Sequence, residues 1–119
     1  MNKVFVIGRL TKDPEKRMTP NGVSVATFSV AVPRRANREE ADFFNVVAWR
    51  GLADICAKYL VKGQKAAVAG ELRTRTYDAK DGSRRYVTEI QADDVEFLEK
   101  PGAGTSEFEQ ELLEENLPF

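Results

Sequence analysis

The chain has 119 residues, 42% of them apolar, with 18 Lys and Arg against 19 Asp and Glu for a formal net charge of −1. One cysteine and no histidine exclude an internal disulfide, a Cys/His zinc site and any mechanism that needs a histidine base. The near-neutral total hides an asymmetry: residues 1–100 carry all 18 basic residues against 14 acidic ones, +4, while residues 101–119 carry five Glu and no basic residue, −5. A mildly basic body suits a polyanionic partner.

Lys3 to Leu10 reads as a strand with the continuous apolar run Val4-Phe5-Val6-Ile7. Such a run implies burial on both faces, by the core on one side and a second subunit on the other. It is too short for a signal peptide and is interrupted by Gly8 and Arg9, and no run reaches membrane-spanning length, so a cytoplasmic protein is expected. Thr11 to Gly22 reads as a loop, punctuated by Asp13-Pro14 and Pro20-Asn21-Gly22, with Lys12, Lys16 and Arg17 as a loose basic group. Val23 to Val32 alternates as a strand, with Phe28, Val30 and Val32 opposite Val25, Thr27 and Ser29. Pro33 ends it, and Arg34, Arg35 and Arg38 follow in a polar loop.

Asp42 to Gly63 changes period half way. From Asp42 to Arg50 the residues are strand formers, and period 2 places Phe43, Asn45, Val47 and Trp49 on one face, with Phe44, Val46 and Ala48 on the core face. From Leu52 the apolar residues fall at Leu52, Ile55, Cys56, Tyr59 and Leu60, one helical stripe. Asp54 is expected in the first turn of that helix, Lys58 and Lys62 near its end, and Gly63 as its C-terminal cap. Cys56 on the stripe reads as a small buried hydrophobe rather than a reactive thiol.

Gln64 to Tyr77 is a strand with Gly70 marking a bulge or bend. Its outer half puts Arg73, Arg75 and Tyr77 on one face. Asp78 to Ser83, with Asp81-Gly82 at the tip, is a hairpin loop, and Arg84 to Gln91 returns and continues through Val95, Phe97 and Leu98. Five strands with one helix between the third and fourth predict an all-β protein with a small α contribution, a five-stranded OB-fold barrel. Residues 1–100 form that domain, 101–106 a short linker, and 107–119 a flexible acidic tail with interleaved Leu and Phe.

Phe43, Trp49 and Tyr77 share strand faces with Arg73 and Arg75, near the arginines of the 34–38 loop. Every nucleobase has a π-face, so aromatic platforms beside a basic groove bind single strands without reading sequence. Enzyme chemistry finds no foothold: no Gly-rich phosphate loop precedes a helix, and Asp93 and Asp94 are adjacent on a strand and point apart. No metal ligands and no cofactor are expected. An assembly subunit or binder of structured RNA on the same fold would not favour poly-dT over a hairpin RNA. An OB-fold nuclease would cleave with Mg²⁺.

Asn2-Lys3-Val4, Gly8 to Glu15, Thr19-Pro20-Asn21-Gly22, Asp42 to Trp49, Tyr59-Leu60-x-Lys62-Gly63, Gly70-x-Leu72-Arg73-Thr74-Arg75 and Tyr86-Val87-Thr88-Glu89 together closely resemble the bacterial single-stranded DNA-binding proteins. The likeness runs through residues 1–98, and Pro118-Phe119 resembles the end of that family's acidic tip. It implies an OB-fold homotetramer that binds and protects single-stranded DNA in replication, repair and recombination, in the nucleoid-containing cytoplasm. By matching positions, Phe43, Trp49 and Tyr77 are the candidate base-stacking residues. Arg9, Arg34, Arg35, Arg50, Arg73, Arg75 and Arg84 are the candidate backbone contacts. Leu117, Pro118 and Phe119 are the candidate tip, through which residues 107–119 would bind DNA replication and repair proteins. Three departures stand out: the Arg34–Ala41 loop is short and lacks an aromatic, the linker is short, and Asn116 stands where an Asp is common.

Overall fold

A computed structural model describes residues 1–99, as β1 Val4–Leu10, β2 Glu15–Met18, β3 Ser24–Pro33, β4 Ala41–Trp49, α1 Arg50–Tyr59, β5 Lys65–Asp78 and β6 Arg84–Phe97. The expected linker at 101–106 and the tail at 107–119, with Leu117, Pro118 and Phe119, lie outside the described residues.

The strands follow the order β1-β5-β6-β4-β3-β2, and an added β1–β3 pairing closes β1, β5, β6, β4 and β3 into a ring. All pairings are antiparallel except β4–β6, which is parallel and short (Val46↔Ile90, Val47↔Gln91). With the helix between the third and fourth barrel strands, this is the OB-fold barrel. The alternation read in β3 and β4 holds: Phe28, Val30, Val46 and Ala48 are in the core with Leu10, Val68 and Ile90, and Phe44 packs against them.

Gly70 marks the expected irregularity. Ala69 pairs with Asp94 and Gly70 with Ala92, so Asp93 is the extra residue of a bulge on β6. A Cβ on Gly70 would stand 2.1 Å from the Gln91 carbonyl oxygen, so the crossing of the two backbones at this bend requires a residue with no side chain. Below the bulge β5 is half buried; beyond it, every residue from Leu72 to Asp78 is exposed. The β5–β6 ribbon therefore leaves the barrel as an arm.

Three expectations are corrected. Part of the Thr11–Gly22 loop is strand: Glu15 to Met18 pair with Thr27 to Ser24 of β3. All four side chains are exposed, so no apolar alternation announces the strand; backbone hydrogen bonds to the open edge of β3 make it. The helix begins at Arg50, which leaves Asp54 past the first turn, and its buried residues are Ala53 and Cys56, while Ile55 and Tyr59 are exposed. Tyr59 instead meets Phe97, with ring centroids 6.4 Å apart. The helix ends at Tyr59 with Leu60 as an extended cap, and Gly63 is not its cap. At φ +85° Gly63 turns the chain into β5 and donates its N–H to the Leu10 carbonyl at 2.8 Å.

The continuous apolar run of β1 is buried on one side alone among the described residues. Val4 and Val6 pack against the core, whereas Phe5 is 77% and Ile7 52% exposed. No helix of the described residues is long and apolar enough to cross a membrane.

Candidate nucleic-acid interface

Paired residues on adjacent strands share a face, and successive residues alternate. The β3–β4 rows are Val25–Trp49, Thr27–Val47, Ser29–Asn45 and Ala31–Phe43. Val47 pairs with Gln91 of β6, and along the arm Glu71 meets Gln91, Arg73 meets Glu89, Arg75 meets Val87 and Tyr77 meets Arg85. One outward face thus gathers Phe43, Trp49, Arg73, Arg75 and Tyr77 from two strands that are not neighbours.

The three aromatics are not core residues: Phe43 is 67%, Trp49 42% and Tyr77 46% exposed. None packs against another ring among the described residues. A groove of about 620 Å³ runs across this face. Arg75, Tyr77 and Glu89 form one wall, and Thr27, Ser29 and Asn45 lie on its floor. The other wall is Lys12, Glu15, Lys16 and Arg17, from β2 and the segment before it, where Lys12 meets Glu15 at 3.8 Å and Lys16 pairs with Asp54 of α1 at 2.9 Å. Phe43 borders an adjoining hollow of about 330 Å³ that shares Asn45 and Glu89. Trp49 lines neither, standing at the end of β4.

The arginines divide by what already holds them. The Arg75 Nε–H donates to Glu89 Oε1 at 3.0 Å, and the guanidinium carbon lies 5.9 Å from the centre of the Tyr77 ring. Arg73 pairs with Glu71. Arg34 donates to Asp42 at 2.9 Å and Glu40 at 3.1 Å, and the hydrogen bond to Asp42, ahead of its charge, holds Arg34 more firmly protonated. Arg9 shares a row with Ala31, and so with Phe43, but its guanidinium bonds both carboxylate oxygens of Glu99, at 2.7 and 3.0 Å, and the Gly63 carbonyl. It is therefore taken up in closing the barrel. Arg35, Arg50 and Arg84 are exposed and form no ion pair among the described residues. Arg50 follows Trp49 directly and takes φ +59°, a left-handed turn that costs a non-glycine residue about 1–2 kcal/mol.

Hairpin register separates Arg84 from the group. Arg84 pairs with Asp78, on the face opposite Tyr77, and Arg85 is the residue across from Tyr77. Asp81 at the tip accepts from the Ser83 hydroxyl, which holds its carboxyl below the usual range, and it meets Arg85 at 3.5 Å. Sequence reading missed Arg85, Gln91 and the basic wall of β2 as neighbours of the aromatics. Counting hairpin parity from Asp81-Gly82 would have found Arg85. Gln91 donates nothing to a sequence pattern, yet its side-chain oxygen accepts the Trp49 indole N–H at 2.7 Å.

Away from this face, burial pushes the Cys56 thiol up to about 11, in keeping with a structural residue. Among the described residues no three His, Cys, Asp or Glu side chains are grouped to hold a metal ion.

Residues 1–98 match the Single-strand binding protein family. The chain belongs to that family. It is 55% identical over 108 residues to a single-stranded DNA-binding protein of Bacillus cereus, which covers 87% of this chain and 64% of the relative. Single-stranded DNA-binding protein A of Bacillus subtilis is 50% identical over 110 residues, 89% of this chain and 64% of its own length. Single-stranded DNA-binding protein 3 of Clostridium acetobutylicum is 55% identical over 103 residues, 83% of this chain and 72% of its own length. The chain thus spans a little under two thirds of the Bacillus relatives it matches.

Proposed function

We propose that this chain binds single-stranded DNA without sequence preference, along the outward face of β4 and the β5–β6 arm. The observation that carries the reading is the set of three half-exposed aromatics on one face, beside a groove that has Arg75 on one side and Lys12, Lys16 and Arg17 on the other. Bases stack on Phe43, Trp49 and Tyr77, at roughly 1–3 kcal/mol each, and phosphates run past Arg73, Arg75 and the Lys12–Arg17 wall. A duplex hides its base faces and gains nothing from such platforms. The relatives' names, single-stranded DNA-binding proteins, agree with this. The chain acts as a binder, not a catalyst.

The test is a titration with poly-dT at several salt concentrations, read by labelled-oligonucleotide anisotropy. Log K is expected to fall with log salt at about −0.7 per phosphate contacted, and replacing Arg73 and Arg75 together by Gln is expected to flatten the slope by about 1.4. An unchanged slope would put the DNA elsewhere. A stronger preference for a hairpin RNA than for poly-dT would overturn the reading.

The same proposal includes the assembly and the tail. Phe5 and Ile7, exposed beside Ala67 and Ala69 of β5, form the contact through which copies assemble as a homotetramer. Residues 1–100 are the DNA-binding domain and 101–106 a linker. Residues 107–119 recruit replication, repair and recombination proteins through Leu117, Pro118 and Phe119, in the cytoplasm at the nucleoid. The Leu and Phe side chains among the tail glutamates offer apolar anchors that a purely solubilising acidic segment lacks. Deleting Leu117 to Phe119 is expected to abolish capture of such proteins while leaving single-strand affinity equal or slightly higher. Loss of DNA binding on deletion would assign the tail to the fold.

A further inference from the structure

An exposed tryptophan at a strand end has several rotamers open to it, and each must be given up when a base stacks on one of them. Trp49 is not left free. Its indole N–H donates to Gln91 Oε1 at 2.7 Å, across 42 residues of sequence. An indole nitrogen is a donor only, so Gln91 has to present its oxygen, and the orientation of both groups follows. Gln91 makes no other side-chain hydrogen bond among the described residues. It is half buried and pairs with Val47 at one of the two bridges that join β6 to β4. The anchor therefore sits on the seam where the barrel closes. Phe43 and Tyr77 have no such hydrogen bond: a phenyl ring offers no donor, and Tyr77, whose ring meets the Arg75 guanidinium at 5.9 Å, makes no bond through its hydroxyl among the described residues.

We propose that Gln91 is a positioning residue for DNA binding, which holds the Trp49 indole in the orientation that a base stacks on. The inference rests on the single-strand reading above. Gln91 acts before DNA arrives: a ring already ordered loses less conformational freedom on binding, and the saving appears as affinity. Gln91 carries no charge, so its contribution is independent of salt, which separates it from the arginines of the same face.

The experiment uses the full chain with Gln91→Leu, which removes the acceptor, and Gln91→Met, which keeps the unbranched shape. Trp49 is the only tryptophan, so a proton–nitrogen NMR spectrum shows one indole resonance. In both variants, without DNA, that resonance is expected to move upfield and exchange faster with water. Poly-dT affinity by anisotropy is expected to fall about three- to tenfold, the range for one hydrogen bond, at an unchanged salt slope. Combined with Trp49→Phe, whose ring has no N–H, Gln91→Leu is expected to cause no further loss. An unmoved indole resonance, an unchanged affinity, or the same loss in the Trp49→Phe background would overturn the inference while wild-type binding stood. Failure of the wild type to bind poly-dT would overturn the single-strand reading, and this inference with it.

Discussion

Two exposed apolar surfaces lie on the outside of the same barrel, and their flanks differ. Around Phe43, Trp49 and Tyr77 the neighbours are Arg73, Arg75, Arg85 and the Lys12–Arg17 wall. Around Phe5 and Ile7 the next residues are Ala69 and Ala67, the rows continue to Asp94 and Glu96 of β6, and the following outward row is Arg9 with Lys65, where Arg9 is engaged by Glu99. An aromatic beside cations can stack a base while its neighbours neutralise the phosphate. An apolar patch of Phe5, Ile7, Ala67 and Ala69 bordered by charges of both signs offers no such cluster of cations and suits a protein surface. Aromatic exposure alone does not identify a partner; the charge one row away decides which partner fits.

The largest effect expected from breaking this contrast is on assembly. Phe5→Asp with Ile7→Asp would place charge in an apolar contact, and light scattering is expected to show the assembled species replaced by single copies with the β-sheet spectrum intact. An unchanged mass would remove β1 from the interface. Next is Trp49→Ala on the other surface, expected to weaken poly-dT binding by roughly 1–3 kcal/mol with little loss of fold. Unfolding of that variant in a thermal melt would show that Trp49 is core. The contrast is sharpened if each substitution leaves the other surface's property in place.

The smallest effect is that of pH. The chain has no histidine, so the aromatic surface has no side chain that ordinarily titrates between pH 6 and 8, and poly-dT affinity is expected to be flat there. Beneath both surfaces, burial raises the Cys56 thiol to about 11. Its folded value lies above its unfolded one, so its contribution to stability is complete below about pH 8.5 and is lost as pH rises through about 11. Melts from pH 8 to 11 would show a decline of that form; a Cys56→Ala variant would lack it.

What the sequence by itself determined is the content of each face. Strand alternation is local and steric, so Phe43 with Trp49, and Arg73 with Arg75 and Tyr77, could be assigned to outward faces before any pairing was known. Turn chemistry was equally local: Pro20-Asn21-Gly22 marks a turn and Asp81-Gly82 a hairpin, and both have the same five-residue closure, Thr19 to Val23 and Ala79 to Ser83. The motifs quoted from residues 1–98 reached further, to the family and its barrel. The tertiary structure decided which of those faces meet. Ring closure brings β4 beside β6 through two bridges, and only then does Gln91 reach Trp49. The edge of β3 turns Glu15, Lys16, Arg17 and Met18 into β2 and sets the second wall of the groove. Ile55 and Tyr59 fit the apolar stripe of α1 yet face outward, because the helix is seated on the barrel through Ala53 and Cys56. Carboxylates brought in by the fold, such as Glu99 on Arg9 and Glu89 on Arg75, separate arginines that look alike in the chain. The physical reason is common to all of these: alternation and turns depend on neighbours in sequence, whereas register, ion pairing and closure depend on backbone hydrogen bonds and contacts between residues tens of positions apart.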